Sequence, residues 1–315
     1  MVKNNKVAII GAGNVGSLIV NAMMLMQISS NVVLFNRNLA KAEGEAFDAS
    51  DAVPLVGECN IHPTNSYEDL RDSSIVVVTV GAKRKEGQNR LELLQTNACI
   101  VKDIIANLDE YCPDAVIVVV SNPVDVITRL VIENSKRDKS LILGAGTILD
   151  TSRLRDYLAK ALGVSRKNIH SHIVGEHGDS EFVLWSNSCI GAVRFDDFPM
   201  PEGLTIEQLK IDSLEATKTQ GKNIISRKGY TGFGIAVSTA KLIKSILRDE
   251  KKILSVSTLA NEYYGLEEGT VLSLPCIIGK AGIERDLVLT LTDDEKVSLQ
   301  NSANVLNASY KSVVG

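Results

Sequence analysis

The sequence predicts an α/β chain in which a doubly wound parallel sheet comes first and a mixed α+β region follows. Three observations carry this reading. Short apolar runs without polar alternation recur through the first half, longer segments of helical period separate them, and a glycine-rich turn follows the first run at once. Runs without alternation suit strands covered on both faces, as inside a parallel sheet. Their alternation with helices suits right-handed crossovers, which gather ligands at the carboxyl ends of the strands.

Taken in order, strands are expected at 6–10, 31–35, 74–80, 115–121 and a shorter 141–143, with segments of helical character between them, such as 14–27 and 90–108. The second half reads differently. A strand pair is expected within 169–191, then long helices at 206–227 and 235–248. Ile235, Leu242, Ile243 and Ile246 keep the i, i+7, i+8, i+11 spacing of a buried helix face. Strands at 253–258, 269–278 and 283–289 follow, and a closing helix begins near Asp293. The change of pattern places a domain boundary near 145–150, dividing the chain into 1–147 and 148–315.

A length of 315 residues is enough for one large or two ordinary domains with a substantial core. No apolar run reaches the roughly 18 residues of a membrane span, and the N-terminal MVKNNKVAIIG has no signal-peptide pattern. A net charge of −4 without a basic block argues against nucleic acid as the main partner. Five scattered cysteines form no CxxC pair and do not cluster with the four histidines. Neither a metal site nor a disulfide framework is expected; the thiols read as free, as in a reducing cytoplasm.

The glycine-rich turn is GAGNVG, Gly11–Gly16, between the first strand and a helix. In that setting Gly11 permits the tight turn, Gly13 lets backbone approach a pyrophosphate, and Gly16 lets helix and strand pack closely. The helix N-terminus presents free N–H groups to the phosphates. This is the mark of a Rossmann dinucleotide site. At the end of the second strand, where an acidic residue is expected to read the ribose, stand Asn36 and Arg37. Asn36 can bond a ribose hydroxyl but does not repel a 2′-phosphate, and Arg37 can pair with one. NAD is favoured, with NADP use left open.

GAGNVG, VGAKRKEGQNRLELL (80–94), VSNPVDVIT (120–128), GAGTILDTSRLR (144–155), NIHSHIVGEHGDS (168–180) and KGYTGFGIA (228–236) occur together, with 27 residues from Asp150 to His177. In this set and order the chain resembles the lactate/malate dehydrogenase family over essentially its whole length, most closely the bacterial L-lactate dehydrogenases. The resemblance implies a reversible hydride transfer between NADH and a 2-keto acid. His177 becomes the general acid/base, Asp150 its orienting carboxylate, and Arg153 a two-point fork for the substrate carboxylate. Arg90 polarises the reacting carbonyl, Asn122 touches nicotinamide and substrate, and Gly81–Asn89 forms a mobile lid. Further cofactor contacts are implied at Asn14, Val15, Lys41, Tyr67, Gly81, Ala82 and Ala145.

The choice of hydroxy acid stays open. Arg84, six residues before Arg90 in the lid, resembles the malate type, whose arginine pairs with a second carboxylate. Thr231 and the unbroken GIA after it resemble the lactate type. A bulkier 2-hydroxy acid is a third alternative. Arg155 and His170 match positions that bind fructose 1,6-bisphosphate in bacterial lactate dehydrogenases, so an effector and a homo-oligomer are implied, a tetramer favoured over a dimer. The rival from another class is a weakly catalytic dinucleotide-binding regulator on the same fold. The presence together of His177, Asp150, Arg153 and Arg90 speaks against it.

Overall fold

The computed structural model describes residues 5–81 and 90–314, with 90–94 as backbone only. Its first half builds β1 (Val7–Ile10), α1 (Asn14–Leu25), β2 (Asn31–Phe35), α2 (Leu39–Val56), β3 (Asn60–Thr64), β4 (Ile75–Val78), α3 (Arg90–Tyr111), β5 (Val116–Val119), α4 (Val124–Asn134) and β6 (Ile142–Gly144). These six strands are parallel and run in the order 3-2-1-4-5-6, the dinucleotide-binding arrangement. The order reverses between β1 and β4, which opens the crevice at their carboxyl ends.

Both faces of these strands are covered, which is why their sequences do not alternate. Val7, Ile9, Val32, Leu34, Ile75 and Val77 pack into one apolar core with α1 and with α7 (Phe233–Leu247). Ala8, Ile10, Val33, Phe35, Val76 and Val78 face the other, beneath α3, α4 and α8 (Asp293–Val314). The expected α7 face holds: Leu242, Ile243 and Ile246 are buried, and Ile235 packs partly buried beside them.

The sheet does not stop at β6. Strands β12 (Lys252–Leu259), β13 (Val271–Gly279) and β14 (Gly282–Asp286) continue it antiparallel, joined through Ser257 opposite Gly144, to make nine strands in all. The turn between β6 and α5 (Ile148–Leu162) is where the 147/148 division was drawn. The strand pair expected within 169–191 is replaced by two small sheets. β7 (Ile169–His170), β10 (Cys189–Ile190) and β11 (Val193–Arg194) form one, and β8 (Ile173–Val174) with β9 (Phe182–Val183) form the other. A third core joins α5, these strands and α6 (Ile206–Lys228), around Leu154, Leu158, Ile173, Phe195 and Leu209.

Candidate active site

The nucleotide loop meets the demands that its glycines imply. Gly11 has φ +113°, a conformation open to glycine, and a Cβ there stands 2.7 Å from Thr79 Oγ1. A Cβ on Gly16 stands 1.8 Å from the Gly11 carbonyl oxygen, so only glycine lets α1 start this close to β1. Gly13 is the reverse case: its Cβ position is open, and as N-cap it gives α1 no side-chain bond, leaving the first amides to a phosphate. These features fit a dinucleotide pyrophosphate.

Beyond the loop, Asn36 accepts from the Asn38 N–H at 3.0 Å, which leaves its amide NH2 for a ribose hydroxyl. Arg37 is paired with Asp103 on α3 at 2.8 Å, so a 2′-phosphate would have to compete for it. Tyr67 packs its ring 4.4 Å from Phe35 at the end of β2, a flat wall beside the Asn36 corner. Lys41 and Gly81 are exposed, and buried Ala145 is held by its N–H on Val119 O at 2.8 Å.

A cleft of about 270 Å³ adjoins this loop, lined by Val15, Asn122, Ala145, Asp150, Arg153, His177 and Thr231 among others. Asp150 and Arg153 lie three residues apart on the first turns of α5, hence on one face, while Leu154, Leu158 and Leu162 face the core. Thr147 Oγ1 donates to Ile173 O at 2.6 Å, and Ile173 N donates to Thr151 Oγ1 at 3.0 Å. This pair of bonds stitches the start of α5 to the strand leading to His177.

His177 Nδ1 lies 2.7 Å from Asp150 Oδ2, and Arg153 Nη1 donates to Asp150 Oδ1 at 2.7 Å. Burial opposes charge on Asp150, yet the His177 hydrogen bond and the His177 and Arg153 charges hold its carboxyl below the usual range. An ionised carboxylate only accepts, so His177 Nδ1 carries a hydrogen and Nε2 is the atom left for exchange with a substrate. Burial also opposes the imidazolium, but the bond to Asp150 and the charges of Asp150, Asp125 and Glu181 outweigh it and carry His177 up to about 9.

Two residues that sequence reading passed over complete the geometry. Asp125, in the first turn of α4 and 2% exposed, accepts from the His177 backbone N–H at 2.7 Å and from Ser257 Oγ at 2.6 Å. Burial pushes its carboxyl up in spite of these bonds. A buried acid inside an apolar helix start (VDVIT) was the available signal. Glu181, directly after GEHGDS, is also buried and lines the cleft. Ala82, Arg84, the Arg90 side chain and the lid expected over Gly81–Asn89 (beyond Gly81 itself) lie outside the described residues.

Arg155 and His170 are not joined. Arg155 donates to Ser171 O at 3.0 Å and lies 3.3 Å from His172 Nε2, while His170 is exposed on β7. Burial, then the Arg155 and His170 charges, push His172 down to about 4, so it meets Arg155 as a neutral acceptor.

Fold and site together define a dinucleotide-dependent oxidoreductase with a buried carboxylate–imidazole pair. The NAD binding domain of lactate/malate dehydrogenase matches residues 5–144, and that family's alpha/beta C-terminal domain matches 147–315. L-lactate dehydrogenase of Clostridium botulinum is 39% identical over 311 residues, 98% of this chain and 97% of that protein. L-lactate dehydrogenase of Nitratidesulfovibrio vulgaris is 39% identical over 303 residues, 96% and 97% of the two chains. Among solved structures, the minor L-lactate dehydrogenase of Enterococcus mundtii superposes with TM-score 0.93 at 35% identity, covering 99% of each chain. A lactate dehydrogenase from a deep-sea metagenome library of the Medee basin superposes with TM-score 0.95 at 34% identity, covering 99% of this chain and all of that one. The chain belongs to the lactate/malate dehydrogenase family and is an NAD-dependent 2-hydroxy-acid dehydrogenase of the lactate dehydrogenase type. No helix among the described residues is long and apolar enough to cross a membrane.

Proposed function

We propose that the chain interconverts pyruvate and L-lactate, with His177 giving and taking the proton. The observation that carries this is the His177–Asp150–Arg153 array inside a cleft that opens on the nucleotide loop. Bound NADH supplies the hydride to the keto carbon, and with one proton the products are the hydroxy acid and NAD⁺. Arg153 keeps one Nη1 hydrogen on Asp150, which fixes the plane of its guanidinium, and offers its other N–H groups to the substrate carboxylate. His177, protonated at neutral pH, donates from Nε2 to the carbonyl oxygen as it gains charge; in the oxidative direction the neutral ring takes that proton back. Asp125 holds the His177 backbone N–H, a second anchor beside the Asp150 bond to the ring, so the imidazole meets the substrate in one place. Arg90 is assigned the polarising role by resemblance to the family.

The names of the relatives and Thr231 in the cleft favour pyruvate. Arg84 favours a dicarboxylate, since an unpaired guanidinium in a closed site costs several kcal/mol and a second carboxylate would neutralise it. The test is NADH oxidation with pyruvate and with oxaloacetate. We expect pyruvate to be preferred. If Arg84 reads the substrate, Arg84→Gln shifts the preference further toward pyruvate by about 2–4 kcal/mol, roughly 30- to 1,000-fold. An unchanged ratio removes Arg84 from substrate choice, and an oxaloacetate preference in the parent protein replaces the pyruvate reading with a malate-type one.

The same reading includes a homo-oligomer, a tetramer, and a bisphosphate effector held by Arg155 and His170. Exposed Phe47 and Leu55 on α2 and Phe233 and Val237 on α7 supply apolar surface for subunit contacts. The effector has to draw Arg155 away from Ser171 and His172. Repeating the pyruvate assay with fructose 1,6-bisphosphate tests this: activation supports the site, and an unchanged rate without detectable binding removes it.

A further inference from the structure

Glu181 is a carboxyl that the proposed proton transfer does not use. It is 3% exposed, it lines the cleft, and its Oε1 has no hydrogen-bond partner among the described residues. One of its oxygens, an Asp150 oxygen and a His177 ring nitrogen all lie within 4.8 Å of one another, and of the two carboxyls Asp150 is the one hydrogen-bonded to the imidazole. Among the described residues, the charged groups acting on Glu181 include Asp150 and Arg153 from α5, His177 from its own loop, and Lys218 from α6. A metal ion among these donors would stand against the Arg153 guanidinium, and the Asp150 oxygens are already bonded to Arg153 and His177. A proton meets no such obstacle.

We infer that Glu181 is a positioning residue for substrate charge: it holds a proton while the keto-acid carboxylate occupies the cleft, and in its ionised form it drives that carboxylate out. This rests on the reading of the cleft as a 2-keto-acid site. Among the described residues Asp150 and Arg153 balance each other, so an arriving carboxylate and an ionised Glu181 would compete for the same two positive charges, protonated His177 and Lys218. An ionised Glu181 adds a buried negative charge whose Oε1 accepts no hydrogen bond from the described residues, next to an arriving anion. Substrate binding and protonation of Glu181 therefore favour each other reciprocally. In the free enzyme burial, then the charge of Asp150, already push this carboxyl up to about 8 against the pull of His177, Lys218 and Arg153.

The test follows KM for pyruvate from pH 7 to 10 in the parent enzyme, Glu181→Gln and Glu181→Asp. In the parent, Glu181 ionisation raises KM about tenfold by pH 9, since each pH unit beyond the pKa is a factor of ten. The share of the rise due to Glu181 is lost from the Gln variant, whose KM climbs only where His177 itself gives up its proton, and it is restored in the Asp variant. Superimposable profiles for parent and Gln variant overturn the inference. Should the variants not fold, calorimetry of oxamate binding to the parent enzyme–NADH complex, in two buffers of different ionisation heat, decides the matter. Uptake of more than one proton per site near pH 9 is expected, because His177 and Glu181 both fill, and uptake that never exceeds one overturns it. Absence of any oxamate binding overturns the keto-acid reading and this inference with it.

Discussion

Replacing Asp150 with Asn is expected to lower kcat/KM for pyruvate reduction at pH 7 by about two to four orders of magnitude, the range of general acid–base assistance. The alkaline limb of the rate should move to lower pH at the same time. In the intact site burial disfavours the imidazolium, and the Asp150 hydrogen bond and charge do most to reverse that and lift His177 to about 9. With Asn, burial works against weaker opposition from Asp125 and Glu181. The sign follows directly. With His177 as the proposed proton donor, reduction is expected to hold through neutral pH in the parent enzyme and to fall as pH rises through about 9; in the variant the fall begins earlier. Oxidation of the hydroxy acid, with the neutral ring as the proposed acceptor, is expected to rise over the same interval. Steady-state rates in both directions against pH, with NADH affinity from fluorescence as a control on the nucleotide loop, check both statements.

Arg153→Lys is the second large effect. An ammonium retains the positive charge but not the planar fork, so it cannot hold Asp150 and present a two-point edge to a carboxylate at once. A charge-assisted hydrogen bond contributes about 1.5–3 kcal/mol, so kcat/KM for pyruvate is expected to fall roughly 10- to 150-fold. Most of the loss should appear in KM, since a carboxylate is bound in the ground state and the transition state alike. Weakened pairing at Asp150 Oδ1 leaves its charge more available to His177, so the alkaline limb should hold or move upward, opposite to Asp150→Asn. Opposite shifts in the two variants would separate a binding role from a proton-tuning one. Equal, parallel losses would argue that both act only by supporting the fold.

How much could be read from the sequence depended on where the physical cause lay. Strands β1, β2, β4 and β5 were visible because burial on both faces writes itself as unbroken Val and Ile runs. β3 was missed because NIHPT is an edge strand, where Pro63 is tolerated and one face stays wet. α2 is hard to read because its buried residues are Ala42 and Ala46, whose small side chains leave little amphipathic contrast. The two-residue strands between Ile169 and Arg194 were too short to carry any period.

The site shows the same division. Asp150 and Arg153 share a helix turn, so their proximity is written in adjacent letters, and the GEHGDS turn pointed to His177. Contacts made by folding were not legible. Asp125 reaches His177 across 52 residues and Ser257 reaches Asp125 across 132. The engagement of Arg37 by Asp103, 66 residues away, bears on cofactor choice without leaving a trace in either neighbourhood. The Arg155–His172 contact is a nearer case: both residues stood in quoted motifs, but the sequence pattern drew attention to His170 and not to the ring two residues on.

In the proposed mechanism Asp150 keeps His177 charged at neutral pH and poised to deliver a proton. The most direct measurement is an NMR titration of the His177 ring signals in the parent protein, assigned by comparison with a His177→Gln variant. A midpoint near 9, falling in Asp150→Asn, is expected. A midpoint at or below the ordinary imidazole value of about 6.5, unmoved by that substitution, would contradict it.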